Sequence, residues 1–192
     1  MPVVPSNCTE RYRLISRLCA RQAVSETVTT RVRLPISPEA VWRHIMFYEE
    51  VPTRPGYLLR MSLPYPVRTD GPKNVVGALV RCAYHGGDLV KRITTIDAPH
   101  LLEFDVVEQR LGIERCIRTC GGSYRVERCG PESEVVLRTA YRAYLRPRLL
   151  WRRLETVLMR QLHKHILHGI ESAVAKHDRR VSASAKGVGE LR

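Results

Sequence analysis

Acidic residues are scarce in this chain of 192 residues, where 19 Asp and Glu stand against 32 Lys and Arg and the formal net charge is +13. The excess of cations indicates that the protein has an anionic partner, such as nucleic acid or a phospholipid surface. The alternative is that this chain is simply a basic protein without such a partner. Long hydrophobic runs are also missing, because charged residues interrupt every apolar stretch well before the roughly 20 residues that a membrane span needs. We therefore expect a soluble or peripheral protein.

Several sequence patterns that carry catalytic chemistry are absent. The chain has no GxSxG, HExxH, P-loop or GxGxxG motif, which argues against the common serine hydrolases, zinc proteases, nucleotide hydrolases and dinucleotide-dependent enzymes. The segment Gly121-Gly122-Ser123 lacks the strand-turn-helix context of a nucleophile.

The six cysteines form no CxxC pair, and no secretory segment precedes them, so reduced thiols in a cytoplasmic protein fit best. Cys116 and Cys120 lie four residues apart, but they fall in a segment that reads as strand or loop. A closed zinc site needs four donors at compatible spacing. We expect neither a metal nor another cofactor.

The chain divides into a basic N-terminal extension at 1–25, one domain at 26–175 and a tail at 176–192. The extension has the composition of a short amphipathic helix. It is a surface helix, a frayed leader or a transit peptide. The tail is rich in Ser, Ala, Gly and charge, and too few apolar side chains offset the entropy of ordering it. We expect the tail to be disordered.

Within the domain, alternating apolar residues predict a first strand over Glu26–Leu34, and Ser37-Pro38-Glu39 then has the chemistry of a helix N-terminus. A short helix through Val41 and Ile45 should follow, with room for a second before about residue 57. Turn residues then separate six predicted strands, which should pair antiparallel: Leu58–Arg68, Val75–His85, Asp88–Ile96, Leu101–Gln109, Cys116–Arg128 and Glu134–Leu145.

The longest helical pattern runs from Leu149 to about Lys176. At 100° per residue, an apolar sector includes Leu150, Leu154 and His165 and should face the sheet. A basic stripe lies almost opposite and is the predicted surface for an anion or membrane: Arg146, Arg153, Arg160 and Lys164.

This order of elements resembles the START/SRPBCC superfamily, near its polyketide cyclase/dehydrase and lipid-transport branch. The resemblance covers about Glu26–Val174 and is carried by Pro35-Ile36-Ser37-Pro38-Glu39-Ala40-Val41-Trp42, by Val76-Gly77-Ala78, by the run from Arg92 to Pro99, and by Tyr141. It implies an α+β helix-grip fold, in which a curved antiparallel sheet of about seven strands wraps around a long C-terminal helix.

In such a fold one face of each strand lines the space beneath the helix. Strand parity and the helical pattern select the candidate ligand-binding residues Met61, Tyr65, Val80, Cys82, Tyr84, Phe104, Val106, Tyr124, Tyr141, Leu158, Leu162 and His165. These side chains either surround an apolar cavity or fill the core. His165 is the one candidate for acid–base chemistry, although a histidine there is more often structural.

We expect the domain to bind or transport a hydrophobic small molecule, such as a lipid, a quinone or a polyketide, with peripheral contact to an anionic membrane. The alternatives are a polyketide aromatase/cyclase-type enzyme and a module that binds nucleic acid through the basic helix face.

Overall fold

The computed structural model describes residues 19–46, 56 and 63–189, and the side chains of 24–45, 56 and 63–175. Seven strands are described: β1 (Cys19–Leu34), β2 (Pro66–Asp70), β3 (Leu79–Tyr84), β4 (Gly87–Asp97), β5 (Leu101–Arg110), β6 (Ile117–Cys129) and β7 (Glu132–Leu145). Two helices accompany them: α1 (Pro38–Met46) and α2 (Arg148–Gly189).

All seven strands form one antiparallel sheet in the order β1-β7-β6-β5-β4-β3-β2. The sheet is curved, and α2 packs against β1 and β7 while α1 packs against α2 and β6. The predicted helix-grip architecture is confirmed.

The predicted start of α1 is also confirmed. The Ala40 amide donates to Ser37 Oγ at 3.3 Å, so Ser37 satisfies one of the amides that a helix N-terminus leaves without an intrahelical partner. Val41 and Ile45 are buried and anchor this helix to the main core.

Four boundaries differ clearly from the sequence prediction. β3 begins at Leu79 and not at Val75. β1 begins at Cys19 and not at Glu26, because the end of β7 offers a ladder partner, with Cys19 opposite Leu145. β2 is short and starts at Pro66, a residue that lacks an amide proton and so suits the start of an edge strand.

α2 continues to Gly189, into the segment that we expected to be disordered. Its backbone is helical there because Ala, Lys and Arg are strong helix formers and no proline interrupts them. The predicted helix in the N-terminal extension falls on residues 1–18, which lie outside the described part of the chain.

β4 and β5 form a hairpin in which Arg92 lies opposite Asp105 and Thr95 lies opposite Glu103. Opposite charges thus face each other across the two strands at Arg92 and Asp105. The ladder is irregular between Ile93 and Thr95.

β5 and β6 pair from Leu101 opposite Arg125 to Asp105 opposite Gly121. Gly121 lies in the strand and allows this close approach, since a Cβ atom there would come within 2.5 Å of the Phe104 carbonyl oxygen. Further along, the side-chain amide of Gln109 connects the two strands. Its Nε2 donates to Ile117 O at 3.0 Å, and its Oε1 accepts from the Thr119 amide at 2.8 Å.

The start of α2 is attached to β1 by a buried ion network. Arg148 donates to both carboxylate oxygens of Glu155, at 2.8 and 2.9 Å, and to Glu26 at 3.1 Å. The Glu155 side chain is only 3% exposed and that of Arg148 14%. Burial and the carboxylates of Glu155 and Glu26 raise the pKa of the neighbouring Tyr141 to about 12. The network therefore fixes where the helix meets the sheet.

Replacing Arg148 with Met should lower the free energy of unfolding by about 3–5 kcal/mol, because it leaves the buried Glu155 without its counter-charge. Arg152→Met is the matched control, since Arg152 also contacts Glu26, at 3.3 Å, but its side chain is 67% exposed. The Arg152→Met control should lower the free energy of unfolding by less than about 1 kcal/mol. Urea unfolding of both variants checks this, and equal losses would contradict the assigned role of Arg148.

Candidate functional site

A cavity lies between α2 and the concave face of the sheet. Its volume is about 70 Å³. Most of the side chains around it are apolar, and they come from β3 to β7, from α2 and from the loops before β2 and after β5. The lining residues are Leu63, Pro64, Tyr84, Leu89, Lys91, Phe104, Leu111, Ile113, Ile117, Thr119, Tyr124, Leu137, Thr139, Met159, Leu162, His163 and Ile166.

His163 forms the polar contact between the cavity wall and the sheet. Its Nδ1 lies 2.9 Å from Thr30 Oγ1, and its Nε2 lies 2.9 Å from Thr139 Oγ1. The side chain is fully enclosed, with 1% exposed. A neutral imidazole donates from one nitrogen and accepts at the other, and each threonine hydroxyl can do either. The ring is therefore held in one orientation by two strands.

Burial lowers the pKa of His163 from its usual 6.5 to about 4, because desolvation penalises the charged ring. His163 is therefore neutral near pH 7. In that state it can orient Thr139, which lines the cavity, and the Thr139 hydroxyl retains capacity for a further hydrogen bond.

The predicted ligand-binding residues fall into four groups. Tyr84, Phe104, Tyr124 and Leu162 line the cavity. Val80, Cys82, Tyr141 and Leu158 are buried elsewhere in the core. Tyr65 stacks on His85, with ring centroids 5.3 Å apart, and Val106 lies at the gap between β5 and β6. Met61 is outside the described residues. The role of each in binding stays a prediction.

The predicted position of His165 in the space beneath the helix is wrong. His163 faces the cavity, whereas His165 is half-buried and lies away from it. Two residues correspond to 200° around a helix, so the two rings point to nearly opposite sides. Burial, followed by the neighbouring His168, lowers the pKa of His165. His165 does not line this cavity, and its role in acid–base chemistry stays a prediction.

The predicted apolar sector of α2 is only partly correct. Leu158 and Leu162 face inward as predicted. Leu150 and Leu154 were expected to face the sheet, but they are 64% and 43% exposed.

The buried face also contains Glu155 and His163, two polar residues that a hydrophobicity pattern assigns to solvent. Their hydrogen-bond partners make burial possible: Arg148 for Glu155, and Thr30 and Thr139 for His163.

Lys91 is a functional candidate that the sequence prediction missed. It lines the cavity, and its Nζ lies 4.7 Å from the centroid of the Phe104 ring, a distance typical of a cation–π contact. The signal was present in the alternation of β4, where Leu89 and Ile93 flank Lys91 on the same face and are both buried. Charge alone made Lys91 look like a surface residue.

All four residues of the predicted anion-binding surface are exposed: Arg146, Arg153, Arg160 and Lys164. None of the helices in the described part of the chain combines the length and apolarity that crossing a bilayer demands.

Lowering the pH should destabilise the folded chain through His163. Its pKa is depressed on folding, so its contribution is fully present above about pH 6.5 and is lost as the pH falls towards about 4, for a total of about 3 kcal/mol. Urea unfolding of His163→Gln should lack this component of the pH dependence. His168→Gln, an exposed change on the same helix, should keep it, and identical pH profiles for both variants would contradict the prediction.

Comparison with known proteins gives structural matches only. No family model and no curated protein sequence matches the chain. The protein TTHA0849 from Thermus thermophilus has 19% identity and a TM-score of 0.58, with 79% of this chain and 99% of that chain covered. Norcoclaurine synthase from Thalictrum flavum, in complex with dopamine and hydroxybenzaldehyde, has 11% identity and a TM-score of 0.52, with 81% and 89% covered.

Ara h 8.0201 has 12% identity and a TM-score of 0.52, with 80% of this chain and 99% of that chain covered. All three likenesses extend over most of both chains, at identities that establish the fold alone. Together with the seven-stranded antiparallel sheet and its long C-terminal helix, they show that this chain has the helix-grip fold.

Proposed function

We propose that the protein binds a small hydrophobic molecule in the cavity beneath α2. The observation that carries the proposal is the lining of that cavity, which is mainly apolar and contains a few fixed polar groups. This combination is typical of sites that hold an apolar molecule and orient it by one or two hydrogen bonds. The fold neighbour in complex with dopamine and hydroxybenzaldehyde supports a ligand of small aromatic type.

The polar groups are placed to recognise one end of such a ligand. Thr139 and His163 lie on one wall, and Lys91 lies over Phe104 on another. A ligand carbonyl or carboxylate can accept a hydrogen bond from the Lys91 ammonium. We therefore expect an aromatic or aliphatic body with one oxygen-bearing end.

The volume of the cavity limits the ligand. At about 70 Å³, it is about half the size of an engineered apolar cavity that accepts benzene, and well below the roughly 300–1,000 Å³ of drug-sized sites. A lipid or polyketide would have to enlarge the cavity. The loop residues Leu63, Pro64, Leu111 and Ile113 border it, and loops open at less cost than paired strands.

An enzyme of cyclase type is the alternative proposal. It would need an acid or base in contact with the substrate, and His165 does not line the cavity. His163 does, but both of its nitrogens are engaged by threonine hydroxyls. These contacts favour a binding protein. The other titratable groups that line the cavity are Lys91, Tyr84 and Tyr124, and loss of turnover in Lys91→Met, with retained binding, would favour the enzyme.

Filling the cavity should abolish binding. Leu162→Trp places an indole where a half-buried leucine lines the cavity. The apolar dye anilinonaphthalene sulfonate is larger than the cavity and, like a lipid, needs the bordering loops to open, and its binding to this variant should weaken about tenfold or more. Gln161→Trp adds the same side chain at the neighbouring exposed position and should change little. Fluorescence titration measures both affinities, with thermal unfolding as the test of folding.

Leu162→Ala provides the opposite change, because it enlarges the cavity. It should strengthen binding of the same dye or admit a larger one. If the dye binds the folded Leu162→Trp, Leu162→Ala and Gln161→Trp variants with equal affinity, the cavity is not the binding site.

A further inference from the structure

The first three turns of α2 carry exposed apolar side chains. Leu149 is 87% exposed, Leu150 64%, Leu154 43% and Val157 48%. Single exposed leucines are common on protein surfaces, but four large apolar residues within three turns of one helix form a patch of the kind that marks an interaction site.

Cations accompany these apolar residues. Residues 146–164 contain six Arg and Lys and one acid, Glu155. Glu155 is buried and bound to Arg148, so it does not offset the outward charge. Arg153, Arg160 and Lys164 are exposed, and no carboxylate of the described residues is in ion-pair contact with them. We name the surface formed by Arg146, Leu149, Leu150, Arg153, Leu154, Val157, Arg160 and Lys164 the outer face of α2.

The outer face is distinct from the cavity. Met159, Leu162 and His163 line the cavity, whereas Leu150, Leu154 and Val157 lie about 140° to 180° from Met159 around the helix. The outer face is therefore available to a partner whether or not the cavity is occupied, and it goes beyond the proposed small-molecule binding.

We propose that the outer face of α2 docks on the surface of an anionic phospholipid bilayer. A helix that lies in the interface inserts its apolar side chains at the boundary of the acyl chains, while Lys and Arg contact lipid phosphates and anionic headgroups. The outer face has both components on the same turns. The long side chains of Arg153, Arg160 and Lys164 can reach phosphates on either side of the inserted leucines.

The same residues disfavour two other occupants. A second copy of this chain, packed on the outer face by two-fold symmetry, would bring two sets of cations together, which repel one another. Single-stranded RNA needs aromatic side chains for base stacking, but Trp151 is half-buried and its indole donates to the Arg146 carbonyl at 2.9 Å. The exposed side chains here are aliphatic, which suits a lipid surface.

Sedimentation of the full chain with vesicles tests the proposal. The wild-type protein should bind vesicles of phosphatidylcholine with about one third phosphatidylserine, should bind pure phosphatidylcholine far more weakly, and should lose affinity at high salt. Arg153→Glu/Arg160→Glu should weaken binding to the anionic vesicles about tenfold or more.

Leu149→Ser/Leu150→Ser tests insertion without a change in charge, and we again expect a loss of about tenfold. Serine is well tolerated at the start of a helix, so this variant should fold, which thermal unfolding checks. The matched control is Arg33→Glu/Arg125→Glu, two exposed arginines on β1 and β6 with the same change in net charge. It should retain affinity within about threefold of the wild type.

Equal losses in the two Arg-to-Glu variants would overturn the proposal, since attraction would then depend on net charge alone. Wild-type affinity in the folded Leu149→Ser/Leu150→Ser variant would overturn insertion. Two other outcomes, each without vesicle binding, would assign the outer face to another partner. The first is a wild-type dimer that dissociates in the Leu149→Ser/Leu150→Ser variant, and the second is tight binding of single-stranded RNA. Leu162→Trp should bind vesicles normally, so failure of the cavity proposal and failure of this one are distinguishable.

Discussion

The contact between β1 and α2 determines which side chains of α2 face the cavity and which face outwards. It consists of two polar layers separated by about two turns of helix, one with Glu26, Arg148 and Glu155, and the other with Thr30, His163 and Thr139. Buried polar groups are costly unless each finds its partner. The helix therefore has one rotational setting in which the ion pairs of the first layer and the two hydrogen bonds of the second form at once.

That rotational setting decides what each side of the helix presents. With Glu155 and His163 turned towards the sheet, Met159 and Leu162 lie over the concave surface and complete the cavity wall. The leucines near the start of the helix are then directed outwards. A helix positioned by hydrophobicity alone would bury those leucines and expose the histidine. At the start of α2, the hydrogen bonds and ion pairs of buried polar side chains therefore set the rotation of the helix more strongly than the burial of its leucines does.

The strands could be predicted from the sequence because their signals are local. Alternation and turn residues identified the sheet, and the inward parity of Tyr84, Phe104, Tyr124 and Leu137 agrees with their place around the cavity. The outward direction of Leu150 and Leu154 could not be predicted, since Arg148 and His163 bond to Glu26 and Thr30, more than 120 residues earlier in the chain. Lys91 was missed because hydropathy treats an ammonium and its long apolar stem as one polar unit.

The bridge made by Gln109 gives that position an unusual chemical requirement. Its side-chain amide takes the role of a peptide group, since it gives one hydrogen bond to a carbonyl oxygen of β6 and receives one from an amide of the same strand. Glutamate offers no donor, and asparagine is one methylene shorter. Where sheet pairing usually tolerates many residues because the backbone makes the bonds, this stretch of the ladder depends on the identity of one side chain.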